Sequence, residues 1–330
     1  MKRRLMLVLH AHLPFVRHPE HPEFLEEDWL FEAMIETYAP IVDACARLAA
    51  DRVPFRLTMT LSPTLCEMLS DELLMARFET RLRRVAAACR RRARAPFEAA
   101  AAEHLRLFTA ARGRRLLPEF RALQDRGVLE IITTAATHAI LPYVSRPEAL
   151  RAQIAVAVAN YRKHFGRAPR GFWLPECAYE PGLDAALAEH GLRYFFVDAH
   201  ALESSPARTP AGPTAFARDP ESSRQVWSAA EGYPGDPWYR EFYRDEGWAN
   251  GRGAGLKFHR ITGAVPLDRK EPYDPSRARE RVEEHARHFL ECRRRGAPLM
   301  VSPYDAELFG HWWYEGPRFL EAGPRRRISL

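Results

Sequence analysis

The stretch that decides the fold is Leu5-Met6-Leu7-Val8-Leu9-His10-Ala11-His12, an apolar run that ends in two histidines. Polar and apolar side chains do not alternate within it. A strand apolar on both faces is one covered on both faces, as parallel strands in α/β folds are. The same form recurs at Phe55–Leu61, Val128–Thr133, Gly171–Leu174, Tyr194–Val197 and Leu299–Ser302. Helix-forming segments lie between, at Leu30–Ala50, Pro147–Phe165, Gly182–His190 and Arg277–Arg294. Strand–helix alternation of this kind predicts an α/β protein built on a barrel or a doubly wound sheet.

Two regions interrupt the rhythm. Residues 65–124 are rich in Ala and Arg and read as a helical insertion after the second strand. Residues 204–274 collect prolines, glycines and aromatics (Trp227, Tyr233, Trp238, Tyr239, Phe242, Tyr243, Trp248) and read as an ordered, functional loop region. The expected organisation is one catalytic domain over residues 1–330 that carries both excursions.

Composition excludes several classes. Hydrophobic residues at 46% and charged residues at 28% match a folded globular chain. No apolar run approaches the ~18 residues of a membrane helix. The N-terminal apolar core Leu5–Leu9 is too short for the ~7–15 residues of a secretion signal, so a cytoplasmic enzyme without membrane association is expected. Net charge is +6, and only four of the 49 basic residues are lysine (Lys2, Lys163, Lys257, Lys270). The basic runs Arg90–Arg92 and Arg293–Arg295 fall in helical stretches that also hold acids, and read as solvated helix faces with no nucleic-acid partner. Five scattered cysteines (Cys45, Cys66, Cys89, Cys177, Cys292) without a C-x-x-C pair give neither a disulfide framework nor a structural zinc site.

The chemistry gathers where the strands end. The six runs lead into His10-Ala11-His12, Ser62-Pro63-Thr64, Thr137-His138, Pro175-Glu176-Cys177, Asp198-Ala199-His200 and Pro303-Tyr304-Asp305. Parallel α/β folds place the carboxyl ends of their strands on one face, and active sites form there. Glu176 follows Pro175 in FWLPECAYEPG, with Phe172, Trp173 and Tyr179 as aromatic walls; Asp305 lies in VSPYDAELFGHWWYEGP beside His311. Two carboxylates among aromatic platforms suit glycosidic-bond chemistry, and a separation of ~5–5.5 Å gives a retaining mechanism. Asp305 has a plainer reading, as the cap of a helix over AELFGHWW. The histidines also permit a metal-dependent hydrolase, with His10, His12, His138, His200 and Asp305 as ligands. His104, His164, His190, His285 and His288 read as satisfied buried side chains on helix surfaces.

HAHLPFVRHPE, TMTLSPTL, ITTAATHAILPY, FWLPECAY, QVWSAAEGYPGDPWYREFYRD, GLKFHRITG, KEPYDP and SPYDAELFGHWWYEGP occur in the order found in glycoside hydrolase family 57. From residue 3 to about residue 321 the chain resembles the α-1,4-glucan branching enzymes of that family. The resemblance implies a distorted (β/α)7-type barrel with a helical insertion, an α-glucan substrate, and no cofactor or metal. It implies Glu176 as nucleophile, Asp305 as acid/base, and His10, His12 and His138 as cleft histidines. Tyr233 resembles a tyrosine on a mobile loop over the cleft. Trp173, His259, His311 and Trp312 are the further expected substrate-binding residues.

Competing readings and departures from the family pattern stand beside the resemblance. A hydrolase acting on α-glucan, a glucan-binding protein without turnover, and a metal-dependent polysaccharide hydrolase or deacetylase are the competing readings. The family's C-terminal helical domain is expected to be absent, with Pro324 breaking a helix begun near Arg318. GRGAG at 251–255 stands where a longer loop is expected.

Overall fold

A computed structural model describes residues 4–92, 95–111, 113, 115–247, 253, 255–295 and 298–326. Its strands are β1 (Arg4–Ala11), β2 (Leu57–Leu61), β3 (Leu129–Thr134), β4 (Gly171–Trp173), β5 (Tyr194–Val197), β6 (Ala207–Arg208), β7 (Thr214–Ala217) and β8 (Leu299–Asp305). They form one sheet in the order β6-β7-β5-β4-β3-β2-β1-β8, in which only the β6–β7 pairing is antiparallel. The seam between β7 and β8 is drawn together by Asp219, whose N–H donates to the Val301 carbonyl at 2.8 Å. The Tyr304 hydroxyl and the Ser222 carbonyl, 2.9 Å apart, fasten the same seam. Seven parallel strands curled in this way make the distorted (β/α)7 barrel.

Period-two alternation along the strands explains what fills it. Val8, Ile132, Trp173, Phe196 and Val301 form one buried apolar cluster. Two residues further on, β1 presents His10 and β5 leads to Asp198, while Asp305 lies four beyond Val301 on β8. An apolar plug therefore lies beneath a polar layer at the carboxyl mouth.

All six expected strands are present. The correction is β7: the region expected as loop at 204–274 contains a seventh parallel strand, hydrogen-bonded to β5 over Tyr194–Val197. Trp248 and most of GRGAG lie outside the described residues.

The helices follow local rules. α1 (Glu27–Ala33), a π-helical turn (Met34–Tyr38) and α2 (Ala39–Ala50) make one continuous path. The insertion comprises α3 (Pro63–Ser70), α4 (Glu72–Arg91), α5 (Ala95–Arg106) and α6 (Leu117–Asp125). Ser62 and Asp71 cap α3 and α4 by accepting the N–H groups of Leu65 and Leu74. Next comes α7 (Pro147–Phe165), closed by Gly166 at φ 69°. The last helices are α8 (Leu183–Glu189), α9 (Pro220–Trp227), α10 (Pro275–Arg295) and α11 (Gly316–Arg325). Pro324 does not break α11, which starts at Gly316 and runs through it. So close to the helix end a missing N–H removes a single bond.

The basic run at the end of α10 also differs from expectation. Arg293 is buried and donates to the carbonyls of Arg4 and Pro298, tying α10 to the barrel floor. Among the described residues no helix is long and apolar enough to cross a membrane.

Candidate active site

The strand ends converge as expected at the mouth. His10 on β1 is the register partner of Asp305 on β8. From β3, the chain turns at His138 (φ 58°), and Nε2 of His138 lies 2.8 Å from Nε2 of His10. From β4, Pro175–Cys177 forms a single tight turn in which Glu176 (φ 56°) and Cys177 (φ 55°) both occupy the left-handed region. Consecutive non-glycine residues in that region are strained, and such strain concentrates at functional sites. The turn leaves the Glu176 side chain exposed while Pro175 and Cys177 are buried.

Three imidazoles stack over one indole. His10 lies on Trp173 with ring centroids 4.6 Å apart and planes 7° from parallel. His12 lies on His138 at 3.9 Å and 13°. Burial and the neighbouring imidazoles hold His10 well below the usual histidine range, and burial with His138 holds His12 at about 3. Burial also lowers His138, against the opposing pull of Glu176. Neutral imidazoles supply one donor and one acceptor each, the set that sugar hydroxyls require. Nδ1 of His10 is buried and, among the described residues, has no hydrogen-bond partner.

Asp305 holds its proton more tightly than an ordinary carboxyl does. Burial first, and the Glu176 charge second, raise its carboxyl to about 6, with Arg218 opposing. Its side chain caps nothing, since the following segment is only the one-turn helix Ala306–Leu308. The helix-cap reading of Asp305 is thereby removed. Glu307 is raised further, to about 8, by burial, although the Tyr38 hydroxyl donates to it and the His12 backbone N–H reaches it.

The cavity beside this centre measures about 1090 Å³ and is lined by Trp29, Phe242, Tyr243, Trp312, Asp28, Glu32, Glu307 and His311, among others. Its lining includes Glu307, two residues from Asp305. Trp312 stacks on Phe242 at 4.4 Å and both Trp29 and Trp312 are half exposed to the cavity. The π-helical turn aims Glu36, Thr37 and Tyr38 inward: Arg240 bonds Glu36 at 2.5 Å, His311 Nδ1 lies 3.1 Å from Glu36, and the His311 N–H donates to Thr37. Gly310 (φ 133°) is required here, because a Cβ would stand 1.8 Å from the Glu36 carbonyl oxygen.

Several expected site residues sit elsewhere. His259 is buried with Nε2 3.6 Å from Glu246, behind the cavity wall rather than in the histidine cluster. Tyr233 is buried in the main core, its hydroxyl 2.8 Å from Nδ1 of His288, and it does not line the cavity. It is held by a docked segment in which Asp236 pairs with Arg281 and the Tyr239 hydroxyl lies 2.8 Å from His285. His285 and His288 therefore anchor tyrosines, and burial lowers His285 to about 4.

A metal centre on the strand-end histidines does not fit the geometry. The Nε2 atoms of His10 and His138 face each other, the rings stack, and His200 lies exposed in the turn after β5. Among the described residues the group able to converge on a cation is Glu32, Glu36 and His311, with ligand atoms within 4.8 Å of one another. Arg240 and Lys257 already provide the counter-charge there, at 2.5 and 3.9 Å from Glu36.

Residues 6–228 match the family model described as Glycosyl hydrolase family 57. A 1,4-alpha-glucan branching enzyme of Thermococcus kodakarensis is 39% identical over 376 aligned residues, covering 97% of this chain and 55% of that protein. The crystal structure of the alpha-amylase AmyC from Thermotoga maritima superimposes with a TM-score of 0.92 at 41% identity, over 100% of this chain and 72% of that one. That of a GH57-type branching enzyme from Pyrococcus horikoshii gives 0.88 at 36% identity, over 98% and 67%. The chain spans about half the length of the curated relative from Thermococcus. That alignment exceeds this chain's own 330 residues, so the relative carries internal residues that this chain lacks.

Proposed function

The chain belongs to glycosyl hydrolase family 57, and from that premise we propose that it is a retaining, branching-type α-glucan transferase. Glu176 attacks C1 of an internal α-1,4 bond as Asp305 protonates the departing O4. The glucan is then held as an ester of Glu176. Asp305, now a carboxylate, takes the proton of an incoming C6 hydroxyl, which displaces Glu176 and forms an α-1,6 branch.

The observation that carries this reading is the convergence of two carboxylates at strand ends: Asp305 at the end of β8, register partner of His10, within electrostatic reach of the exposed Glu176 on the left-handed turn after β4. An acid must hold its proton to serve as the donor, and burial of Asp305 favours its protonated form. His10, His12 and His138 are read as donors and acceptors to the sugar whose bond is cleaved, with Trp173 beneath them as the platform. Trp29, Trp312 and Phe242 are read as stacking surfaces for the glucan chain in the cavity, with His311 at its edge.

Hydrolysis is the second reading, favoured by two observations: the similarity to a Thermotoga amylase, and the docking of Tyr233 away from the cavity. Whether water or a C6 hydroxyl resolves the intermediate depends on what covers it. Incubation of the protein with amylose, followed by an iodine stain and enzymatic debranching, separates the outcomes. Branching yields chains released only by debranching, hydrolysis yields new reducing ends, and a pure binder yields neither. Glu176→Gln is expected to yield neither.

A further inference from the structure

The strand missing from the sequence reading, β7, delivers Arg218 to the mouth of the barrel. Its N–H donates to the Val197 carbonyl at 3.1 Å, so it stays zipped to β5 one residue past the end of β7. Its side chain turns toward β4, where Nη2 donates to the Cys177 sulfur at 3.5 Å. Among the described residues the buried Nε has no partner and no carboxylate lies within ion-pair distance of the guanidinium. A cation held this way is not neutralised by a salt bridge. Its field falls on Asp305 and on the Cys177 thiol, both of which it lowers.

We propose that Arg218 is the positioning residue of the carboxylate pair: it clamps the left-handed Glu176–Cys177 turn through the Cys177 sulfur and presents a positive charge to Asp305. Its role in turnover rests on the reading of Glu176 and Asp305 as the reacting pair. The electrostatic relation itself does not.

The groups around Asp305 come from several elements. His10 of β1 is its register partner, with His12 and His138 stacked about His10; Glu176 and Cys177 come from the turn after β4, Asp198 from the turn after β5 and Glu307 from its own segment. The imidazoles are held neutral, so Glu176 and Arg218 are the opposing charges that matter. Before the reaction Glu176 favours a proton on Asp305. When Glu176 becomes a glycosyl ester its negative charge disappears, and Arg218 remains. Asp305 has by then given its proton to the leaving O4. The remaining cation stabilises the carboxylate until it accepts the proton of the attacking hydroxyl, whose oxygen bonds C1 as the ester bond to Glu176 breaks.

The test uses Arg218→Met and Arg218→Lys in the full chain. The Asp305 carboxyl is followed by NMR in protein labelled with 13C-aspartate and assigned with Asp305→Asn. Loss of the charge is expected to move the Asp305 midpoint up by about one pH unit or more, and lysine to leave it near its original place. The high-pH limb of kcat/KM on amylose is expected to move by the same amount. A Met variant that melts as a folded protein yet titrates Asp305 as the parent does would overturn the proposal. Should the Met variant not fold, Arg218→Gln keeps a donor to the sulfur without the charge and carries the same comparison. Absence of turnover in the parent would count against the proposed function, while the NMR titration would still decide the role of Arg218.

Discussion

His10 and Asp305 are register partners on neighbouring parallel strands, β1 and β8, which places an imidazole directly beside the proposed acid. Because His10 also bonds His138 and stacks on Trp173, three strands other than β8 define the surroundings of that acid. The neighbouring imidazole is held neutral, so it does not draw the proton away from Asp305 by charge. Burial and Glu176 then set the carboxyl at about 6.

This sets the alkaline side of the pH profile. The acid must be protonated to assist departure of O4, so kcat/KM on amylose is expected to fall tenfold per pH unit above about 6. Initial rates across pH measure it. A profile flat from pH 6 to 9 would remove Asp305 from the acid role.

Stability carries the opposite mark of the same residue. The folded carboxyl is raised from the ordinary aspartate range to about 6, so the unfolded chain gives up this proton first. Its contribution to stability is present below about pH 4 and is lost as pH rises through 6. Asp305→Asn escapes that loss and is expected to be about 2 kcal/mol more stable than the parent at pH 8, while activity drops by about 10²–10⁴. Thermal melts at pH 4 and pH 8 check the sign, since the gain should shrink at pH 4.

Trp29 and Trp312 expose aromatic faces to the 1090 Å³ cavity. Replacing either with alanine is expected to weaken glucan binding by about three- to tenfold, the worth of one ring contact. The effect should appear in KM for amylose more than in kcat. Unchanged KM in both variants would place the glucan outside this cavity.

Tyr233 is buried against α10 and α11, so truncation removes core packing. Tyr233→Ala is expected to lose about 3 kcal/mol of stability, whereas Tyr233→Phe loses only the hydroxyl contact with His288, about 1 kcal/mol. The ratio of new reducing ends to branch points in Tyr233→Phe then reports whether this docked segment governs access of water. An unchanged ratio would confine Tyr233 to a structural role.

Much of this was legible because strand ends are local. Continuous apolar runs capped by His10-Ala11-His12, Pro175-Glu176-Cys177 and Pro303-Tyr304-Asp305 marked both the barrel and the proposed acids. β7 was missed although Thr214-Ala215-Phe216-Ala217 followed by Arg218-Asp219 has the same form, because its four residues sit within a stretch of prolines and glycines. Trp29 lies at the start of a helical segment, and which side of that helix faces the cavity is a tertiary fact. The inward packing of Tyr233 depends on His288, 55 residues away, which no local pattern reveals.

The most direct measurement is the mass of the enzyme trapped in mid-reaction. Asp305→Asn incubated with an α-maltooligosyl fluoride, which needs no acid to depart, should accumulate a covalent glycosyl ester, and peptide mapping should place the added sugar on Glu176. Sugar attached to another residue, or efficient turnover by Glu176→Gln, would contradict the account.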